Sequence, residues 1–387
     1  LLFAFFIFFI TLLVMKSFTK IRLPAWKRAV IKVGSGLVAP EGKRVSNKFT
    51  LDIAGFITEC RNRGKEMILV TSGAVAAGIS TQPVLARRQL SIAEKQAMAA
   101  LGQPLLMAHW SKYFDFPCAQ LLLTYQGIND RGQFINAKNT LLELLAQQTL
   151  PIINENDTVV VDEIKVGDND NLAAHVAVLA DADILFICSD VKGLYNTNPR
   201  MNASAAFIPE VEKINPALYN LAGGKGSHYA VGGMITKIQA AEKATARGID
   251  TIVFNGTDRA CFQLLLENKV PGTIFRKNAS PMTAKKHWMQ HALKSRGTIY
   301  IDQGARRALI EKGASLLPSG IVHVKGRFKQ GDAVDLLFDD KLIARGISQY
   351  DSGDLEKIRG KHSKDIEAIL GYFYRDEVIH RDDLVLV

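Results

Sequence analysis

The chain has 387 residues, of which 48% are hydrophobic and 22% are charged. These proportions exclude an intrinsically disordered or low-complexity protein, and the length allows two or three domains with a sizeable core. The net charge of +10 permits an anionic partner but does not require one. The four cysteines form no CxxC pair, which argues against a structural zinc site.

The amino-terminal segment is almost purely apolar over 15 residues, LLFAFFIFFITLLVM. As a helix it would span about 22 Å, which is short of the roughly 30 Å hydrocarbon core of a bilayer. No basic stretch precedes it, so it does not fit a secretory signal. We predict that residues 1–20 are an apolar leader outside the fold, upstream sequence translated before Met15. A short membrane anchor is the alternative.

Strand-like and helix-like segments alternate from Arg28 to about Phe275. Apolar runs predict strands over 29–35, 66–74, 118–124, 150–157, 183–189 and 251–255. Amphipathic spacing predicts helices over 47–63, 91–110, 131–148, 169–181 and 233–247. Apolar strands separated by amphipathic helices are typical of a parallel sheet covered on both faces. We therefore predict an α/β three-layer sandwich over 24–275, with ligands bound beyond the carboxyl ends of the strands.

The pattern changes after residue 275. Residues 276–296 are polar and basic, and we predict that they form a linker. Beyond them, glycines punctuate short apolar runs at turn-like intervals. This predicts a second, mostly-β domain over 297–387, a small barrel.

Polar and small residues collect where the predicted strands end. They are Lys32, Gly34, Ser35 and Gly36; Thr71, Ser72, Gly73 and Ala74; Asn154, Glu155, Asn156 and Asp157; Asp168, Asn169 and Asp170; Ser189 and Asp190; and Lys237 after two glycines. Glycines after strands let a ligand approach the backbone, and N–H groups at helix starts bind anions. Lysines and carboxylates at one edge favour phosphoryl transfer, which depends on charge neutralisation and positioning.

Each of these signals is weak alone. Asp168 and Asp170 could simply cap the following helix, although there are more polar groups than capping requires. Two nucleotide-binding motifs are absent from the sequence, GxxxxGK[ST] and a GxGxxG after the first strand. The chain is therefore not a P-loop enzyme.

The order and spacing of six segments resemble the amino acid kinase family, in particular its glutamate-phosphorylating branch. The segments are VIKVGSGLV, VTSGAVAAG, INENDTV, KVGDNDNLAA, SDVKGLY and GGMITK. The tail, 297–387, resembles the PUA domain. The resemblance implies the amino acid kinase fold with a PUA-like barrel. It also implies transfer of a phosphoryl group from ATP to the γ-carboxylate of L-glutamate, the first step of proline synthesis.

The resemblance also implies roles for individual residues. Lys32 and Lys237 would stabilise the transferring phosphoryl group, and Asp168 would orient them with help from Asp170. Glutamate would be bound by Ser72, Gly73, Asp157 and Asn169. ATP would be bound by Lys32, Gly34, Ser189, Asp190 and the loop Val231, Gly232, Gly233, Met234, Ile235, Thr236 and Lys237. Mg²⁺ would bridge the phosphates, with no metal site built from protein side chains alone. Val231 replaces the threonine usual in the family, which removes a hydroxyl group from this loop.

The family resemblance further implies a cytoplasmic, membrane-free homo-oligomer (a dimer or tetramer) that is inhibited by proline. Three alternatives stay open: a kinase for another amino acid, an RNA-binding protein that uses the PUA-like tail, and a catalytically inactive regulator. Intact Lys32, Asp168 and Lys237 argue against the last. Acidic residues in the tail argue against a continuous basic RNA-binding surface, so a structural or regulatory role for the tail is favoured.

Overall fold

A computed structural model describes residues 21–42, 44–82, 84, 88–160, 169–199, 201–202, 204–221, 233–278 and 295–387. By contact, the chain divides into two compact units, 1–128 with 137–279 and 129–136 with 280–387. The division near 279 falls within the predicted linker, 276–296. The predicted leader lies outside the described residues. No helix within the described ranges is both long and apolar enough to cross a membrane.

The strands up to residue 275 are β1 Arg28–Val33, β2 Glu66–Val70, β3 Cys118–Leu123, β4 Leu150–Glu155, β5 Ile184–Ser189, β6 Leu194–Tyr195, β7 Phe207–Ile208, β8 Glu210–Val211, β9 Asp250–Asn255 and β10 Thr273–Phe275. The helices over the same range are α1 Ser35–Val38, α2 Asn47–Asn62, α3 Ala74–Ile79, α4 Ile92–Ser111, α5 Tyr125–Asn129, α6 Arg131–Ala146, α7 Asn169–Leu179, α8 Pro216–Leu221, α9 Met234–Thr245 and α10 Arg259–Leu266.

Eight of these strands form one sheet in the order β3-β4-β2-β1-β5-β9-β10-β8. All six strands predicted from the sequence are present, and each is parallel to its neighbours from β3 to β9. β10 instead runs antiparallel to β9. β10 is not predicted from the sequence, because three residues are too few to show a periodic pattern.

The register of the sheet brings several strand ends to one edge. Val33 of β1 lies opposite Cys188 of β5, and Val70 of β2 lies opposite Ile153 of β4. The residues that follow these positions therefore emerge together. β1, β2, β4 and β5 are buried along almost their whole length, which is why they read as continuous apolar runs.

The predicted strand over 66–74 is too long, because β2 ends at Val70 and α3 begins at Ala74. Gly73 lies between them with φ at 108°, a left-handed conformation that favours glycine. Helix α3 then packs backbone to backbone on α4. A Cβ atom built on Gly102 would lie 1.8 Å from the Ala74 carbonyl oxygen, so no larger residue fits. This contact fixes the β2–α3 turn.

Local signals explain where α4 begins. The Ser91 hydroxyl accepts a hydrogen bond from the Glu94 backbone N–H, and the Glu94 carboxylate accepts one from the Ser91 N–H. This reciprocal capping box satisfies two N–H groups that a helix start leaves unpaired. The predicted helix over 91–110 is therefore confirmed to within one residue at each end.

The carboxyl-terminal residues form a mostly-β unit, as predicted. Its strands are β11 Gly297–Ile301, β12 Ile321–Gly326, β13 Ala333–Phe338, β14 Lys341–Ile347 and β15 Leu384–Leu386. Its α-helices are α11 Gln303–Lys312, α12 Ser352–Ile358 and α13 Ile366–Leu370. The strands form one sheet in the order β12-β11-β13-β14-β15. A separate apolar core that includes Ile299, Leu336 and Tyr350 supports it.

Candidate active site

The candidate site lies at the edge of the large sheet where β1, β2, β4 and β5 end. Lys32 is the penultimate residue of β1, and Gly34 follows the strand as the cap of α1. Asn169 and Asp170 form the first turn of α7. Lys237 lies in the first turns of α9, which packs on α7. Strand ends and helix starts therefore converge, as expected for ligand sites in parallel sheets.

Two lysines share one carboxylate at this edge. The Lys32 ammonium lies 2.6 Å from Asp170 Oδ1, and the Lys237 ammonium lies 3.1 Å from Asp170 Oδ2. All three side chains are buried, and Asp170 is only 2% exposed. We call Lys32, Asp170 and Lys237 the charged triad. Its formal charge of about +1 follows from two ammonium groups and one carboxylate at neutral pH.

Burial and charge act in opposite directions within the charged triad. Burial alone would raise the pKa of Asp170, but the charges of Lys32 and Lys237, with hydrogen bonds from Lys32 and Thr236, hold that pKa well below its usual value. Burial lowers the pKa of Lys237, and the neighbouring Lys32 lowers it further, while Asp170 opposes both effects. The carboxylate thus keeps two cations close together in a poorly hydrated place.

Thr236 connects α9 to this carboxylate. Its hydroxyl lies 2.8 Å from Asp170 Oδ2 and 2.9 Å from the Gly233 carbonyl oxygen, and it can donate its hydrogen to either. Because Thr236 precedes Lys237, the contact ties the start of α9 to the start of α7. The resemblance assigns Thr236 to ATP binding, and the contact with Asp170 is not evident from the sequence.

The structure brings together three of the four residues assigned to catalysis, Lys32, Asp170 and Lys237. Asp168 lies outside the described residues, so its assigned role stays a prediction. The carboxylate that contacts both lysines in the described part of the chain is Asp170, which the sequence analysis gave only a helping role. The alternative that Asp170 is merely a helix cap does not account for its two ion pairs.

The residues assigned to glutamate follow β2 and β4 or begin α7, where Asn169 precedes Asp170 of the triad. Ser72 and Gly73 form the turn after β2, and Gly73 is held against the Val38 side chain. Asn169 donates from Nδ2 to the Thr71 carbonyl oxygen at 2.6 Å and to Asn154 Oδ1 at 2.9 Å. Asp157 follows β4, and burial raises its pKa to about 6.

The residues assigned to ATP follow β1, β5 and the start of α9. The Gly34 N–H donates to the Cys188 carbonyl oxygen at 3.3 Å, which joins the ends of β1 and β5. The Ser189 hydroxyl donates to Asp190 Oδ1 at 3.2 Å. Gly233 caps α9, whose first residues are Met234, Ile235 and Thr236. Val231 and Gly232 lie outside the described residues.

Three further polar residues near this edge, Asn154, Glu155 and Gln103, have no role implied by the family resemblance. Asn154 is buried between Asn169 and Gln103, and accepts from one and donates to the other. Glu155 is 2% exposed, and neither of its carboxylate oxygens has a hydrogen-bond partner among the described residues. Asn154 and Glu155 end the otherwise apolar strand β4, and that contrast is the signal by which the sequence could have indicated them. Gln103 gives no comparable signal because it lies inside a helix.

Comparison with known proteins gives two family matches. Residues 27–255 match the amino acid kinase family, and residues 297–370 match the PUA domain. The chain is 53% identical to the glutamate 5-kinase of Salinibacter ruber over 374 residues, which cover 95% of this chain and 99% of the relative. It is 50% identical to the glutamate 5-kinase of Idiomarina loihiensis over 368 residues, covering 95% and 99%.

One solved structure is similar over a smaller part of the chain. The UMP kinase of Bacillus anthracis aligns with 66% of this chain and 98% of its own, with a TM-score of 0.46 and 15% sequence identity.

Proposed function

The chain belongs to the amino acid kinase family, and from this premise we propose that it transfers the γ-phosphoryl group of ATP to the γ-carboxylate of L-glutamate. This is the glutamate 5-kinase reaction, the first step of proline biosynthesis. One observation in particular supports the proposal: Lys32 and Lys237 are held by a single buried carboxylate at the edge of the sheet where ligands bind.

The chemistry explains why two lysines are useful. The attacking carboxylate and the γ-phosphate are both anions, and their repulsion must be neutralised before they can meet. Fixed cations in a water-poor site do this more effectively than solvent, because they need no reorganisation during the reaction. The triad carries net positive charge, and Asp170 fixes the positions of both ammonium groups.

The bond changes are simple. An oxygen of the glutamate γ-carboxylate forms a bond to the γ-phosphorus, and the bond from that phosphorus to the β–γ bridging oxygen breaks. ADP leaves with the electron pair, and L-glutamyl 5-phosphate is the product. The nucleophile is already ionised at neutral pH, so this mechanism requires no general base. Lys32 and Lys237 stabilise the charge on the transferring phosphoryl group.

The remaining assigned residues divide between the two substrates. Ser72, Gly73, Asp157 and Asn169 form the acceptor half of the proposed site. Gly34, Ser189, Asp190 and the loop from Val231 to Lys237 form the ATP half, and Asp168 orients the lysines together with Asp170. Mg²⁺ belongs to the proposal as part of Mg·ATP, where it neutralises phosphate charge. Oxygen donors such as those of Ser189 and Asp190 are the kind that Mg²⁺ accepts beside phosphates and water.

An assay of the full chain tests the reaction directly. ADP release is followed with Mg·ATP and, in turn, L-glutamate, L-aspartate and N-acetyl-L-glutamate, with hydroxylamine present to trap an acyl phosphate. We expect glutamate-dependent ADP release together with γ-glutamyl hydroxamate. Faster turnover of aspartate or N-acetylglutamate would instead indicate a kinase for another acid, and absence of turnover with all three would indicate a non-catalytic protein.

Proline inhibition is part of the same proposal. Proline carries the α-carboxylate and ammonium-bearing α-carbon of an amino acid but lacks a γ-carboxylate, so it can occupy the acceptor half without reacting. Millimolar proline should raise the KM for glutamate and leave kcat unchanged. If glutamate kinetics stay the same, proline does not bind in the acceptor half.

The carboxyl-terminal unit matches the PUA domain, a type that binds RNA. For this chain we propose a structural or regulatory role for that unit, in a cytoplasmic homo-oligomer. Sedimentation of the full chain distinguishes dimer from tetramer. A strongly salt-dependent affinity for RNA would favour RNA binding instead, since phosphate contacts release counterions.

A further inference from the structure

A row of buried amides lies behind the acceptor half of the site. Asn169 donates from Nδ2 to Asn154 Oδ1 at 2.9 Å, and Asn154 donates from Nδ2 to Gln103 Oε1 at 2.9 Å. Gln103 then donates from Nε2 to Gln120 Oε1 at 3.1 Å, near the surface of β3. Asn169, Asn154 and Gln103 are all buried. We call these four residues the amide chain.

One backbone atom fixes the direction of the amide chain. The Thr71 carbonyl oxygen lies 2.6 Å from Asn169 Nδ2, and a carbonyl oxygen can only accept. The Asn169 NH₂ group must therefore face Thr71. Asn169 then needs an acceptor from Asn154, which turns the Asn154 NH₂ group towards Gln103 and the Gln103 NH₂ group towards Gln120. The three side-chain hydrogen bonds of the row therefore all run in one direction, from Asn169 towards Gln120.

The backbone N–H and the hydroxyl group of Thr71 also form hydrogen bonds. Its N–H donates to the Ile153 carbonyl oxygen at 2.9 Å, and its hydroxyl accepts from the fully buried Trp110 indole at 2.9 Å. The carbonyl that sets the polarity is therefore part of a rigid turn. Both hydrogens of the Asn169 amide are used, so only Asn169 Oδ1 remains for a ligand. No described residue forms a hydrogen bond with that oxygen.

We propose that the amide chain presents Asn169 Oδ1 as an obligate acceptor that selects a ligand with a free ammonium group. This inference rests on the proposed function in taking Asn169 as part of the acceptor half. An α-ammonium group would donate to this oxygen, whereas a carboxylate placed there would be repelled. Asn154 and Gln103 are positioning residues: Asn154 accepts the second Asn169 hydrogen, Gln103 holds Asn154, and together they reinforce the orientation that the Thr71 carbonyl sets.

This polarity has a consequence for specificity. A hydrogen bond between a charged and a neutral group contributes enough to change affinity by tenfold or more. Glutarate is glutamate without the ammonium group, and 4-aminobutyrate is glutamate without the α-carboxylate. We therefore expect the protein to bind glutamate at least about tenfold more tightly than glutarate. We also expect the ammonium group of 4-aminobutyrate to donate a hydrogen bond to Asn169 Oδ1.

The test is calorimetric binding of glutamate, glutarate and 4-aminobutyrate to the full chain, compared with Asn154→Leu and Asn154→Asp. Asn154→Leu removes the acceptor that holds the second Asn169 hydrogen. With Thr71 as the remaining acceptor the amide is held less firmly, so the glutarate-to-glutamate Kd ratio should fall by about threefold or more, through weaker glutamate binding. Asn154→Asp keeps an acceptor towards Asn169 and should retain most of the discrimination. Gln103→Leu should have a smaller effect in the same direction.

Gln349→Leu is the matched control, because it removes a buried amide from the carboxyl-terminal unit. It should leave all three Kd values unchanged, and circular dichroism checks that each variant is folded. Equal weakening of glutamate and glutarate in Asn154→Leu would indicate general damage and overturn the inference. So would a wild-type protein that binds glutarate as well as glutamate, or that binds none of the three ligands.

Binding and turnover fail independently in this design. Ammonium-dependent binding without phosphorylation would support the role of the amide chain and contradict the proposed kinase reaction. Phosphorylation of glutamate with a Kd ratio that is the same in wild type and Asn154→Leu would do the reverse.

Discussion

Two buried polar clusters lie side by side at the edge of the large sheet. One consists of charged side chains and the other of neutral side chains. The charged triad contains three ionised groups, joined by contacts of 2.6 and 3.1 Å. The amide chain contains only neutral side chains in a row of one-way hydrogen bonds. One cluster concentrates positive charge where we propose that a phosphoryl group moves, and the other presents a polar atom with a fixed orientation.

The difference indicates a division of labour. Charge held in a poorly hydrated site stabilises a transition state in which charge is redistributed, so changes to the triad should act on kcat. An oriented dipole acts equally on bound substrate and transition state, so changes to the amide chain should act on affinity. Substitutions that mix these two effects would show that the clusters work as one unit.

Lys237→Ala should have the largest effect on turnover. It removes one of the two cations that we propose stabilise the transferring phosphoryl group, and we expect kcat to fall by roughly 100- to 1,000-fold, the scale found when one electrostatic stabiliser is lost. The KM for glutamate should change far less. Steady-state kinetics with each substrate varied gives both values.

Lys269→Ala is the matched control, since Lys269 pairs with Glu267 at the surface. It should leave kcat unchanged. If Lys237→Ala instead loses activity only through a higher KM, the division between the two clusters is wrong.

Asp170→Asn should reduce both kcat and stability. The substitution leaves Lys32 and Lys237 close together without the carboxylate that neutralises their repulsion. Breaking a buried ion pair by removing one partner costs about 3–5 kcal/mol, so the free energy of unfolding should fall on that scale. Urea unfolding measures the loss, and steady-state kinetics measures kcat.

Asp335→Asn makes the same substitution in a partly buried ion pair with Arg345, in the carboxyl-terminal unit. It should cost less and leave kcat intact. Similar losses of unfolding free energy in both variants would mean that Asp170 stabilises its two lysines no more than Asp335 stabilises Arg345.

Asp157 adds a third case to the comparison of the charged triad with the neutral amide chain, because it is an ionisable group in the proposed acceptor half. Burial raises its pKa to about 6, so the folded protein binds this proton more tightly than the unfolded chain does. Its contribution to stability is therefore present at acid pH and is lost as pH rises through about 6. Asp157→Asn should raise the free energy of unfolding at pH 7 by up to about 3 kcal/mol, measured without substrates.

The gain should disappear as the pH is lowered towards 4, because the wild-type carboxyl group then becomes neutral as well. The same variant should raise the KM for glutamate at pH 7 if the ionised carboxylate binds substrate. Asp52→Asn, which removes a partly exposed carboxylate of α2 that pairs with Arg259, is the control for a general effect of removing a carboxylate. A stability difference that does not vary with pH would contradict the assignment to this group.

The sequence predicts more of the charged triad than of the amide chain, and the reason is physical. Six apolar strands with polar residues at their ends place Lys32, Asn169 and Asp170 at one edge by topology alone. The choice of Asp170 as the carboxylate that pairs with both lysines depends on how α7 packs on α9, which no local pattern reports.

The amide chain depends still more on tertiary structure. Gln103 and Asn154 are 51 residues apart in sequence, and Gln103 lies within a helix where glutamine is an ordinary choice. Nothing in the periodicity of α4 indicates that this side chain turns towards β4. The polarity of the chain depends on a backbone carbonyl, which is invisible in a list of side chains.

Thr236 tests the boundary between the two clusters with the smallest expected effect. Its hydroxyl is neutral, like the amides, yet it contacts the carboxylate of the charged triad at 2.8 Å. Thr236→Val keeps the shape of the side chain and removes that hydrogen bond. Because Lys32 and Lys237 still hold Asp170, we expect kcat to fall only about tenfold, the value of one hydrogen bond to a charged group.

Two variants serve as controls for this prediction. Thr236→Ser keeps the hydroxyl group and should restore kcat. Thr251→Val removes another buried hydroxyl, one that has no hydrogen-bond partner among the described residues, and should leave kcat unchanged. A rise in KM for glutamate at constant kcat would place Thr236 with the orienting amides and not with the triad it contacts.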